Sequence, residues 1–235
     1  MGIPRDVVDA LLKENEDHLC ADAPEICVKL VALANLPTRF GDYQVAAFWN
    51  SLDKKEHAAF IHGNVVDGDA VPVRIHSECL TGDAIGSLRC DCRDQLIESL
   101  ERIGQMDRGI VLYLRQEGRG IGFVNKIKAY QLQDDGYDTV QANELLGFRA
   151  DERDYGIAAH MLGTLGVRSI QIMTNNPNKM RDLQDHGVHI VGRIPIIVPP
   201  NRYDAAYMAT KQRKLGHLLD LEQEEEMADP SPPGS

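Results

Sequence analysis

The chain has 235 residues, and 36 acidic against 25 basic side chains give it a formal net charge of −11. That length suits one large or two small domains with a sizeable core, and 43% hydrophobic with 26% charged residues is ordinary for a globular protein. The charge argues against a general nucleic-acid binder, no run approaches the roughly 18 apolar residues of a membrane span, and the charged start does not read as a secretory signal.

In chain order, residues 4–34 read as a peripheral helical segment. Val7, Val8, Leu11 and Leu12 share one helix face, and Ile26, Leu30 and Leu33 repeat the spacing. Strand patterns follow at 43–49, 57–62 and 71–76, separated by turns such as Asp67-Gly68-Asp69. From residue 90, helix and strand alternate. Leu96, Ile97, Leu100 and Ile103 form a helical stripe, 109–114 is a short apolar run expected as a buried strand, and a helix is expected over 123–133. Another is expected over 152–165, with Tyr155, Ala158, Leu162 and Leu165 on one face. Residues 169–174 read as strand, Asn176-Pro177 as a capped helix start, 188–198 as a last strand region and 203–219 as a terminal helix. The alternation predicts an α/β (α+β) fold, a mixed sheet flanked by helices. The acidic, proline-rich stretch 221–235 is expected to be disordered.

Five cysteines, an odd number, point to a reducing, cytoplasmic compartment where thiols stay free. Three of them, Cys79, Cys90 and Cys92, follow the spacing Cys-x10-Cys-x-Cys, with the last two where a helix begins. Amides and the helix dipole there favour thiolates, and a loop containing Gly82 and Gly86 can fold Cys79 back onto them. Three thiolates suit Zn²⁺ and leave its fourth tetrahedral position open, as in catalytic sites. Unrelated buried thiols, or a structural zinc closed by His76, are the plainer alternatives. A second signal is Arg115-Gln-Glu117-Gly118-Arg119-Gly120-Ile-Gly122, between the 109–114 strand and the next helix. Its glycines let amides approach an anion, Arg115 and Arg119 can clamp phosphate oxygens, and Lys126 and Lys128 lie just beyond. Asp151, Glu152, Arg153 and Asp154 open the 152–165 helix, and Thr174 to Lys179 join a strand to a helix. Each alone reads as an ordinary helix start. Together, basic residues at 115, 119, 153 and 179 in an acidic protein suggest a small polyanionic ligand.

These motifs, with Asn125-Lys-Ile-Lys-Ala-Tyr130 and the stretch 74–92, closely resemble GTP cyclohydrolase II over residues 35–220. The resemblance leaves 1–34 as a helical extension, too short for the synthase domain fused in some family members. It implies a zinc- and magnesium-dependent homodimer acting on GTP; the acidic charge and the lack of a long apolar run add the expectation of no nucleic-acid or membrane partner. The reaction it implies converts GTP to formate, pyrophosphate and 2,5-diamino-6-ribosylamino-4(3H)-pyrimidinone 5′-phosphate, opening riboflavin biosynthesis. By motif, Cys79, Cys90 and Cys92 match the zinc ligands, Asp151 the proton acceptor and Arg153 the proposed nucleophile at the α-phosphate. Tyr130 matches a tyrosine near the reacting ring. GTP contacts map to Arg74, Ile75, His76, Ser77, Glu78, Gln95, Glu117, Gly118, Arg119, Thr139, Thr174 and Lys179. Arginine stays protonated at ordinary pH, so a phosphate-stabilising role suits Arg153 better than covalent catalysis. A relative stopping at a formamidopyrimidine product and a non-catalytic nucleotide sensor remain the alternatives at this point.

Overall fold

The computed structural model describes residues 2–17 and 26–199. The helix expected over 203–219 and the tail lie outside them. Seven strands form one mixed sheet: β1 (Val28–Thr38), β2 (Gly41–Asn50), β3 (His57–His62), β4 (Val71–Ser77), β5 (Gly109–Leu114), β6 (Ile170–Met173) and β7 (Ile190–Ile194). The spatial order is β1-β2-β3-β5-β4-β6-β7. Strands β1, β2, β3 and β5 pair antiparallel, while β5, β4, β6 and β7 run parallel. The helices are α1 (Arg5–Asp17), α2 (Cys92–Gly104), α3 (Gly122–Asp134), α4 (Thr139–Leu145), α5 (Gly156–Thr164) and α6 (Pro177–Asp185).

Alternation along the strands sends side chains to two faces. On one face Ile110, Leu112 and Ile75 pack with Val8 of α1, Met161 and Leu162 of α5 and Leu183 of α6. On the other, Val111 and Met173 pack with Ile103, Leu96 and Leu100 of α2. The 109–114 run is buried on both faces and reads as continuously apolar, as parallel strands do. Among the described residues no helix is long and apolar enough to cross a membrane.

Three expectations need correction. Residues 28–34 are strand, not helix, so the expected break at 34/35 falls inside β1. The ladder with β2 slips between Leu30 and Ala32, leaving Val31 as an extra residue. That bulge puts Leu30 and Leu33 on the same face, both against the main core, and a strand thereby acquires helix-like spacing. Pro37 is accommodated because β1 is the edge strand. Second, the 152–165 helix begins only at Gly156. Upstream, amide donors go to side chains: Arg153 N–H to Asp151, Gly156 N–H to Asp154 and Tyr155 N–H to Asp182. Such local bonds compete with the helical pattern. Third, Cys27, at the foot of β1, is disulfide-bonded, a departure from the expectation of free thiols.

Candidate active site and metal centre

The parallel strands deliver the site from their carboxyl ends. β4 runs into Glu78 and Cys79, β5 into residues 115–120 and β6 into Thr174. The chain leaves β4 for β5 on one side and returns to β6 on the other, the kind of crossing point where open α/β sheets bind ligands.

At the metal end, Cys79 precedes a single wide turn, Leu80–Ala84, and Cys92 starts α2. The three sulfurs lie within 4.8 Å of one another, and Cys79 and Cys90 are buried. Gly82 donates its N–H to the Cys79 sulfur at 3.3 Å. A Cβ on Gly82 would lie 2.9 Å from the Cys90 sulfur and 3.0 Å from that of Cys79, so the cradle requires glycine. Three convergent soft donors with room between them fit a zinc ion. Hydrogen bonds from the Cys90 and Cys92 thiols, aided by Lys126, hold Cys79 far below the usual thiol range. Donating to Cys79 pushes Cys90 up to about 11, and Cys92 is raised for the same reason.

His76 turns its Nε2 to Asp83 at 3.1 Å. Asp83 also accepts from the Cys79 N–H at 2.9 Å and from the Tyr113 hydroxyl at 2.7 Å. His76 therefore braces the Cys79 turn. Asp91, between two of the cysteines, accepts from Gln95 at 2.5 Å, and Gln95 accepts from Arg74 at 2.5 Å. Arg74 also donates to the Met173 carbonyl at 3.1 Å, linking the start of α2 to β6.

At the other end, Gly118 and Arg119 both have positive φ, 63° and 58°, which folds residues 117–120 into a tight loop. The Glu152 N–H donates to the Arg119 carbonyl at 3.0 Å, so this loop carries residues 150–153 beside it. Arg153 grips both oxygens of Asp151, at 2.8 and 2.5 Å. Burial pushes Asp151 up, but the Arg153 hydrogen bond and charge outweigh it and hold Asp151 below the ordinary carboxylate range. Lys179 donates to the Ile75 carbonyl at 2.8 Å, and its ammonium and the Arg153 guanidinium lie 5.1 and 5.8 Å from the Tyr155 ring. Burial raises Tyr130, which therefore stays a neutral phenol, with Arg89 stacked 4.6 Å from its ring.

One cavity is lined by all three cysteines and by Arg74, His76, Ser77, Glu78, Gln95, Glu117, Gly118, Arg119, Tyr130, Thr139, Arg153, Thr174 and Lys179. Two of the sequence-derived residues lie apart from it. The Ile75 side chain is fully buried in the core, and the Asp151 carboxylate is turned onto Arg153. Arg89, Gln116 and Asn143 also line the cavity, and the sequence reading missed them. Asn143 and Thr139 arrive on α4, a helix overlooked although Asp138 and Gln141 spell its capping box.

A three-sulfur cradle able to hold a metal and a basic glycine loop, sharing one cavity at the strand ends of an α/β sheet, define the site of a nucleotide enzyme. The sequence model for GTP cyclohydrolase II matches residues 29–195, and the chain belongs to that family. GTP cyclohydrolase-2 of Picrophilus torridus is 52% identical over 192 residues, covering 82% of this chain and all of that protein. The riboflavin biosynthesis protein RibBA of Bacillus cereus is 50% identical over 197 residues, and this chain spans 50% of its length. The two-domain 3,4-dihydroxy-2-butanone 4-phosphate synthase RibBX of A. baumannii overlaps 82% of this chain and 45% of its own at a TM-score of 0.40 and 12% identity.

Proposed function

We propose that this enzyme hydrolyses GTP at guanine C8, releasing formate and pyrophosphate and giving 2,5-diamino-6-ribosylamino-4(3H)-pyrimidinone 5′-phosphate. Riboflavin biosynthesis begins with that step. One observation carries the reading: the three-cysteine cradle and the arginine-bearing loops line the same cavity. A base at one end and a triphosphate at the other match that polarity.

The roles follow from chemistry. Cys79, Cys90 and Cys92 would hold a zinc ion, which when bound would supply Lewis acidity and lower the pKa of water. Glu78 lines the cavity directly before Cys79. Its carboxylate accepts from the N1–H and N2–H₂ edge of guanine, which adenine lacks. Tyr130, neutral and beside Arg89, donates toward the opening ring. Asp151, the residue the resemblance gives as proton acceptor, grips Arg153 through both oxygens and so holds that guanidinium at the cavity wall. Arg119, Arg153 and Lys179 offset charge on the leaving pyrophosphate. Magnesium would arrive with the triphosphate, since Mg²⁺ characteristically binds substrate phosphates. The family resemblance supports a homodimer working in the cytoplasm.

Incubation with GTP, zinc and magnesium, followed by separate assays of formate and pyrophosphate, tests the proposal. Equal amounts of both are expected, with ATP slower by about 10³-fold in kcat/KM because adenine offers Glu78 no matching pair of donors. Pyrophosphate without formate contradicts full deformylation, and comparable rates with ATP contradict the Glu78 role.

A further inference from the structure

We infer that Lys126 is a positioning residue of the metal centre. Its ammonium holds the Cys79 sulfur and, through Glu117, ties that sulfur to the glycine loop at the phosphate end. The inference rests on the zinc reading above and adds a residue to it.

By sequence Lys126 follows the basic loop and reads as one more phosphate ligand. The fold takes it elsewhere. It lies in α3, buried, with Nζ 3.1 Å from the Cys79 sulfur and 2.7 Å from Glu117 Oε1. Glu117 accepts two further bonds, from the Gly118 N–H at 2.9 Å and the Leu80 N–H at 2.7 Å. Leu80 directly follows Cys79. One ion pair therefore joins the Cys79 turn, the 117–120 loop and α3. Three thiolates around Zn²⁺ leave a net charge of about −1, which is costly to bury without a counter-charge. A compact ammonium can approach a single sulfur closely, and lysine supplies that geometry better than the planar fork of arginine.

The plainer account is that Lys126 only neutralises Glu117. Removing both partners separates the two ideas, because a buried ion pair replaced by neutral groups of similar size is often tolerated. The proteins to compare are wild type, Lys126→Met, Lys126→Arg and the double variant Lys126→Met with Glu117→Gln. Zinc affinity is read by competition with a chromogenic chelator at fixed pH. Fold is read on the zinc-free proteins by circular dichroism and thermal melting. Lys126→Met and the double variant are expected to fold and to bind zinc about 10–100-fold more weakly, the usual effect of losing a partner of a metal ligand. Lys126→Arg should recover part of the loss. Wild-type zinc affinity in the double variant overturns the proposal. Failure of both neutral variants to fold also overturns it, since Lys126 then serves the fold and not the metal. A wild-type protein that binds no zinc overturns the functional reading instead, and is recognised as such before any variant is compared.

Discussion

His57 shows how a residue outside every motif shapes the site. It is buried at the start of β3, with Nε2 3.3 Å from Asp53 and Nδ1 accepting the Arg115 N–H at 3.1 Å. Lys55 takes the Arg115 carbonyl at 3.1 Å, so the β2–β3 loop grips both ends of the residue that opens the glycine loop. The groups facing the imidazole are Asp53, Lys55 and Arg115; burial lowers its pKa more than Asp53 raises it. An unfolded histidine takes up its proton near pH 6.5, and the folded one only below that. Between those values the unfolded chain binds more protons, so stability drops as the pH falls through the window. His57→Gln removes this titration and should flatten the acid side of a plot of urea midpoint against pH. His76, also buried with a lowered pKa, leaves a residual slope in the same direction. An unchanged slope in His57→Gln counts against the account. His57 carried no sequence signal because its partners lie 4 and 58 residues away. The cysteine trio was legible because its spacing itself encodes a ligand set.

At the scale of elements, the parallel strands were legible and the connections less so. A continuous apolar run marked β5, and Asn176-Pro177 marked α6, because burial and capping are local rules. β1 was misread because its bulge imitates helical spacing, and the Asp151 segment because its side chains capture the amides a helix would use. The contact between the 117–120 and 150–153 loops is a tertiary product of that extended segment. It depends on Gly120, whose φ is +94° and where a Cβ would lie 3.0 Å from the Glu152 backbone. Gly120→Ala should destabilise the protein by about 1–3 kcal/mol. By shifting Arg119 and Arg153 relative to the cavity it should also lower kcat/KM for GTP by about 10–100-fold. Thermal melting and steady-state kinetics check both. A variant with wild-type kinetics shows that the loop contact does not position the phosphate end.

The whole molecule reads as one sheet carrying two chemistries. The proposed function puts zinc chemistry where β4 meets α2, and phosphate chemistry where β5, β6 and the segment before α5 converge. The central claim is that these ends are separable in function though they share a cavity. The most direct test is the ratio of formate to pyrophosphate released from GTP by two variants shown to fold. Cys90→Ser should lose zinc and stop formate release while retaining some pyrophosphate release. Arg153→Ala should keep its zinc and lose about 10²–10⁴ in the rate of pyrophosphate release, the expected effect of removing charge-assisted contacts worth roughly 3–5 kcal/mol. Arg153→Ala with near wild-type pyrophosphate release, or Cys90→Ser with undiminished formate, would contradict the division of labour that the structure supports.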